Sequence, residues 1–415
     1  MFPASVFKID NGLTLIHQEI FTTPVVVADV WVKAGANLEP ESWCGLAHLL
    51  EHMIFKGTET LKAGVFDKTI EFLGGVSNAA TSYDFAHYSL TIASNYLQET
   101  LPLMSDLLLN AAIPEVELNR ERKVVLEEIR QTSDNPDWMG FQALCKSVYQ
   151  QHPYGRSVLG SEQNFAKHGV VQLRCFHRSH YQPENMTVAI AGGIGSSKAL
   201  DLVNAAFEKF VPPCFDYPLI QKSVKPNIQG IRRQEILLPR LEQVRLLMGW
   251  VAPGVEQFRI AYGLDLLSVI LGGGRTSRLV SDLRENKQLV NGIYSSFSLQ
   301  QQSSLFTINA WLESQELEQV EELIRIHLQN LISGEITEQE LSRAKRLLCN
   351  DYAFSTETPN QLAGLYGYYN TIATASLSVT YPQEIQSFDA KELQNIAYKY
   401  LSPNNYAVTV VKAED

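Results

Sequence analysis

Apolar residues recur along the chain at two periods that take turns. Val25 to Val32 is rich in β-branched residues and stops before Gly35, which predicts a strand. Beyond Ser42, which can cap a helix, Leu46, Leu49, Leu50 and Met53 recur at helical spacing as far as about Lys56, with Gly57 past the end. Helical periodicity returns over 97–111 and 114–131, and 186–191 reads as a strand. The second half runs through the same series. It has a strand over 244–251, helices over 261–271, 317–331 and 338–348, and a closing strand over 406–411. Helices grouped between strands predict sheets covered on one face by helices.

The likeness of the halves extends to residues. Val30 to Gly35 (VWVKAG) matches Gly249 to Gly254 (GWVAPG). Gly45-Leu46 and Gly263-Leu264 each enter an apolar helical stretch, and Tyr181 to Val188 resembles Leu401 to Val408. Three matches in one order at a nearly constant offset predict a duplicated domain. Pro212, Pro213, Pro218, Pro226 and Pro239 mark an extended connector between the copies. The expected fold class is α+β: two homologous α/β sandwich domains, over 1–215 and 231–415.

Composition narrows the partners. The 415 residues carry a formal net charge of −11, which disfavours nucleic acid or an anionic membrane surface. No apolar run reaches a membrane span, and the N-terminus shows no basic segment followed by an apolar run. Five scattered cysteines, with no CxxC among them, read as neither a disulfide framework nor a cysteine zinc site. A reducing, cytoplasmic location is the expectation.

The chemistry sits in the first helix, as His48-Leu49-Leu50-Glu51-His52. Histidines at i and i+4 share a helix face, a spacing that lets two imidazoles bind one Zn²⁺. Glu51, three residues after His48, lies beside that face and could take a proton from an activated water. The bland alternative is two surface histidines and a salt-bridging glutamate. Catalytic zinc takes three protein ligands. The helix over 114–131 offers candidates: Glu121 and Glu128 share a face with Val124 and Val125 between them, and Glu127 is rotated away. A solvated charged helix is the competing reading, because Arg120, Arg122, Lys123 and Arg130 lie on it. Gly272-Gly273-Gly274 lacks phosphate-loop spacing and reads as a hinge or helix terminator. His17, His87, His152, His168, His177, His180 and His327 show no ligand spacing.

HLLEHMIFKGT (His48 to Thr58), followed by RERKVVLEEI (Arg120 to Ile129), resembles the pitrilysin and mitochondrial processing peptidase family of zinc peptidases, inverzincins, in its bacterial two-domain branch. The resemblance implies Glu128 as third zinc ligand and Glu121 as a supporting acid at the catalytic site. Gly74 to Thr81 resembles the family's GGxxNAxT edge strand, which implies that Asn78 and Ala79 align the substrate backbone. It implies half of a clamshell chamber for short or unfolded peptides, completed by a second subunit. The metal motif is lost in the second half, where Leu266, Val269 and Ile270 fall opposite His48, Glu51 and His52. The family's substrate-contacting Arg is matched by Arg284, but Asn291 stands where its Tyr would be, and Tyr294 comes three residues late. The resemblance therefore favours a heterodimer whose partner supplies the Arg/Tyr pair, with a homodimer as alternative. The implied activity is zinc metalloendopeptidase; a non-catalytic scaffold or a peptide-binding subunit of the same family is the rival.

Overall fold

The computed structural model describes residues 2–165, 168–218 and 224–414. In chain order, β1 (Ser5–Lys8), β2 (Thr14–Glu19) and β3 (Val25–Val32) lead into α1 (Leu46–Ile54) and α2 (Val65–Phe72). The hairpin β4 (Val76–Thr81) and β5 (Ala86–Ala93) precedes α3 (Leu97–Leu109), α4 (Glu115–Ser133), α5 (Pro136–Tyr149), α6 (Glu162–Phe165) and α7 (Val170–His180). Then come β6 (Met186–Gly192), α8 (Ser196–Ala206), β7 (Ile231–Leu238), β8 (Val244–Pro253) and α9 (Phe258–Gly272). The chain closes with β9 (Gly292–Ser298), β10 (Ser303–Leu312), α10 (Leu317–Ser333), α11 (Glu338–Phe354), α12 (Pro359–Ile372), α13 (Tyr381–Ser387), α14 (Ala390–Tyr400) and β11 (Tyr406–Ala413).

These elements form two compact units, each assembled from separate stretches of chain. The first holds Met1–Arg130, Ser157–Lys222 and Ser355–Val379; the second holds Gln131–Arg156, Ser223–Phe354 and Thr380–Asp415. The first unit contains a sheet in the order β1-β2-β6-β3-β5-β4, antiparallel except for the β2–β6 pair. Because side chains alternate across a sheet, Val26, Ala28, Val30 and Val32 of β3 turn to a core shared with Leu46, Leu49, Leu50 and Met53 of α1. Val27, Ala189 and Ala191 turn the other way and meet Ala363 of α12. Every residue of β6 is buried, as expected for a strand covered on both faces.

The second unit holds a sheet in the order β7-β11-β8-β10-β9, in which only β7–β11 is parallel. Strand order and pairing sense match β2-β6-β3-β5-β4, so the repeated sequence segments occupy equivalent strands. Leu246, Met248 and Trp250 of β8 share a core with Leu264, Leu267 and Ile270 of α9, and α5 packs on β8 and β11.

The α+β class with two related sheets is as expected, but several details differ. The sheets are not covered on one face only. In the first unit α12 takes the second face, and in the second unit α5 lies on the sheet. Ser42 does not cap α1. That helix starts at Leu46 behind Gly45, whose φ of +91° suits glycine. The buried carboxylate of Glu39 accepts from the backbone N–H groups of Gly45 (2.9 Å) and Ala47 (2.7 Å), a favourable place for negative charge. The second half of the proline-marked connector forms the edge strand β7, while residues 219–223 of the connector lie outside the described residues. Gly273 and Gly274 end α9, as a helix terminator would. The cysteine reading also needs correction. Cys175 of α7 and Cys214 are joined in a disulfide with Cα atoms 5.3 Å apart. Cysteines 39 residues apart carry no spacing signal, so only the fold reveals the pair. No helix among the described residues is long and apolar enough to cross a membrane.

Candidate metal centre

Helix α1 is apolar on the side that meets the core, and this forces its polar residues to the rim. Leu46, Leu49, Leu50 and Met53 are fully buried, which leaves His48, Glu51 and His52 along one edge of the helix. The imidazoles lie 4.8 Å apart, centroid to centroid. Helix α4 brings Glu128 to them. Its Oε2 is 3.7 Å from Nε2 of His48 and 3.7 Å from Nε2 of His52. Two zinc bonds of about 2.0–2.1 Å span that separation. Two neutral imidazoles and one carboxylate are also the donor set that zinc favours, so these residues fit a catalytic zinc ion. Burial pushes the His48 imidazole down to about 4, with the neighbouring His52 adding to the effect. His48 is therefore neutral and free to ligate at ordinary pH. His48, His52 and Glu128 are the one cluster of this kind among the described residues.

Around these three stands a supporting layer. Nδ1 of His52 donates to Glu121 Oε2 (3.2 Å), which fixes the tautomer and leaves Nε2 for a metal. The other oxygen of Glu121 meets the Lys56 ammonium at 2.7 Å. Glu121 is buried, whereas Glu127 points to solvent. Val124 is exposed and only Val125 is buried, so the acidic face of α4 is narrower than the valine pair suggested.

Glu51 faces the hairpin. Thr81 of β4 donates its hydroxyl to Glu51 Oε2 at 2.6 Å. Burial raises the Glu51 carboxyl above its ordinary value, against the lowering effects of Thr81 and His52. A carboxylate made more basic by its surroundings is what proton abstraction from water requires.

The residues expected to bind substrate lie in two places. Asn78 and Ala79 lie on β4, the outermost strand of the sheet; Asn78 is exposed and Ala79 half-buried. Arg284 belongs to the second unit, on a π-helical turn over Val280–Asn286, and its guanidinium is held by Glu285 (2.5 and 2.9 Å), which also holds Arg275. Tyr294 stacks on Trp311 of β10 (5.4 Å). Leu266 and Ile270 of α9 are buried in the second core, with no donor among them. Sequence reasoning gave no role to Thr81, Lys56 or Glu39. Lys56 stands in the turn just past α1, from which its ammonium reaches Glu121. Thr81 was findable by strand alternation from Ala79.

The sequence profile of the insulinase peptidases (family M16) matches residues 15–162, and that of the M16 inactive domain matches residues 170–348. The uncharacterized zinc protease YmxG of Bacillus subtilis is 30% identical over 360 residues, which cover 85% of each chain. The zinc protease PqqE of Helicobacter pylori is 28% identical over 97% of this chain and 91% of its own. Among solved structures, a protease from Helicobacter pylori superposes with a TM-score of 0.90 at 28% identity, over 99% of both chains. An M16 inactive domain from Pseudomonas fluorescens shares the fold, with a TM-score of 0.86 at 21% identity over 99% of this chain and 98% of its own.

Proposed function

The chain belongs to the M16 family of peptidases, and on that premise we propose that it is a zinc metalloendopeptidase acting on short or unfolded peptides. One observation carries the reading: the imidazoles of His48 and His52 converge with the carboxylate of Glu128, while Glu51, held by Thr81, stands beside them. When bound by these three side chains, zinc supplies Lewis acidity, which polarises the scissile carbonyl and acidifies water. Glu51 takes the proton of the attacking water on its carboxylate and returns it to the leaving amine. Glu121 keeps His52 oriented through Nδ1. The outer edge of β4 accepts the peptide as an added strand, with Asn78 and Ala79 beside its backbone.

The same reading gives the chain a partner. Arg284 is engaged by Glu285, and Asn291 has no phenol to offer, so the second half lacks a free Arg/Tyr pair for substrate. The chain then acts as the metal-bearing subunit of a dimer, a heterodimer with a homologous subunit before a homodimer. The rival is a non-catalytic scaffold; a site that keeps ligands, base and supporting acid together favours the peptidase over it.

Cleavage of a fluorogenic peptide, with and without a chelator and with the candidate partner added, tests this reading. Zinc-restorable cleavage that rises with the partner is expected. Cleavage insensitive to chelation would overturn the zinc assignment, and full activity of the isolated chain would remove the heterodimer. Glu51→Gln should retain zinc, by metal analysis, and lose about 10²–10⁴ in turnover.

A further inference from the structure

The face of the first sheet turned away from α1 carries a second polar assembly, next to the metal centre but not part of it. Along β5, Ala86, Tyr88 and Leu90 turn to the core, so His87 lies on the opposite face. Its cross-strand partner on β3 is Trp31, and the imidazole stacks on that indole at 4.4 Å. Nδ1 of His87 lies 3.2 Å from Oδ1 of Asp29, whose side chain is 2% exposed. A carboxylate only accepts, so Nδ1 carries the hydrogen, and Nε2 of the neutral ring is left as an acceptor. The His87 side chain keeps 23% of its surface exposed. Phe85 and Tyr368, both half-buried, border the place: Phe85 lies 6.1 Å from His87, and Tyr368 lies 5.8 Å from Phe85.

Position gives this assembly its meaning. On the edge strand, His87 pairs with Ala80, and the next residue is Thr81, which holds Glu51. A peptide added to β4 sends alternate side chains to this face. One that passes over Ala80 meets only a methyl group before it reaches His87. Strands about 4.8 Å apart put the peptide backbone about 10 Å from that of His87, so only a long side chain arrives. At its end it finds a lone-pair acceptor backed by the Asp29 carboxylate.

We propose that His87, oriented by Asp29 and Trp31, is a specificity-determining residue whose Nε2 accepts a hydrogen bond from the end of a long cationic side chain, Arg or Lys, of the peptide lying along β4. This rests on the peptidase reading above. It adds a residue and a substrate class to that site.

Matched peptides carrying Arg, norleucine or Glu at one scanned position decide it. At the position that lies over Ala80, kcat/KM should favour Arg over norleucine by about tenfold or more, the worth of one hydrogen bond to a charged group, with Glu the poorest. His87→Phe keeps a ring on Trp31 and removes the acceptor, so the Arg/norleucine ratio should fall to near one. Asp29→Asn, which no longer dictates the tautomer, should lower the ratio as well. The ratio is internal to each variant, so a general loss of activity does not mimic the effect. Binding of the same peptides to the Glu51→Gln protein, read by fluorescence anisotropy, should show the same loss on adding His87→Phe. An Arg/norleucine ratio unchanged within twofold by His87→Phe, in either measurement, overturns the proposal. If no peptide is cleaved, the peptidase reading fails, and the anisotropy ratio still decides the role of His87.

Discussion

Glu121 illustrates how much of a candidate metal centre can rest on residues that would not touch the ion. It accepts from Nδ1 of His52 with one oxygen and from Lys56 with the other. Such an outer partner sets the tautomer of a ligand and raises its basicity. Glu121→Gln should therefore weaken zinc binding about 10–100-fold with the fold intact, measured by competition with a chelator. An unchanged affinity would make Glu121 a packing residue held by Lys56. What the sequence revealed at this scale follows distance along the chain. His48, Glu51 and His52 are legible because one helical turn brings them together. Glu128 was one of several acids on α4 until a family resemblance singled it out, since periodicity gives the face of a helix and not its distance from another helix. Glu39 was missed because hydrogen bonds back across a 3₁₀ turn leave no period behind, and Thr81 because strand alternation gives its face but not its contact with Glu51, 30 residues earlier.

At the scale of elements, the hydrophobic period found the helices well, and 97–111 and 114–131 fall close to α3 and α4. It could not say which sheet a helix would cover, and α12, from late in the sequence, lies on β3 and β6. Close approach is what fits it there. A Cβ added at Gly367 would lie 2.2 Å from Cδ1 and Nε1 of Trp31, whereas at Gly364 the nearest atom, Oδ2 of Asp29, is 3.8 Å away. Helix propensity alone favours alanine over glycine by about 1 kcal/mol at both places. At Gly364 that term wins, and Gly364→Ala should raise stability by up to about 1 kcal/mol. At Gly367 the collision wins, and Gly367→Ala should cost about 1–3 kcal/mol; urea unfolding of the two variants gives the comparison. The Cys175–Cys214 bond is a second device at this scale. It ties α7 to the segment that follows α8, where Tyr217 packs against Trp43 and donates to the Leu38 carbonyl (2.6 Å), just ahead of α1. A closed loop of this length is worth about 4 kcal/mol in the chain-entropy account. A reductant should therefore lower the unfolding temperature of the parent and leave a Cys175→Ser/Cys214→Ser double variant unmoved. The bond removes two of the five cysteines from the argument for a reducing compartment.

For the chain as a whole, the −11 formal charge proved less informative than two buried groups whose protonation opposes across the units. In the first unit, burial holds His177 down to about 4, with Nε2 donating to the Leu108 carbonyl at 2.7 Å. Unfolded, the same ring takes a proton near 6.5. Between these values the unfolded state binds the extra proton, so this contribution is complete above about 6.5 and is lost as pH falls toward 4. In the second unit, burial raises Asp265 of α9 to about 6, with the nearby charge of Asp351 adding to the rise and the Tyr381 hydroxyl it accepts opposing it. Here the folded state holds the extra proton. The contribution is complete below about 4 and is lost as pH rises through 6. Each shift spans roughly two pH units, on the order of 3 kcal/mol. Acidification from pH 8 to pH 5 should thus loosen the first unit and tighten the second. Hydrogen exchange read by mass spectrometry can follow peptides from α7 and from α9 separately across that range. Asp265→Asn, which cannot titrate, should flatten the α9 response and leave the α7 response in place. Parallel responses in the parent, or an α9 response that survives Asp265→Asn, would show that other groups govern the pH dependence of the second unit.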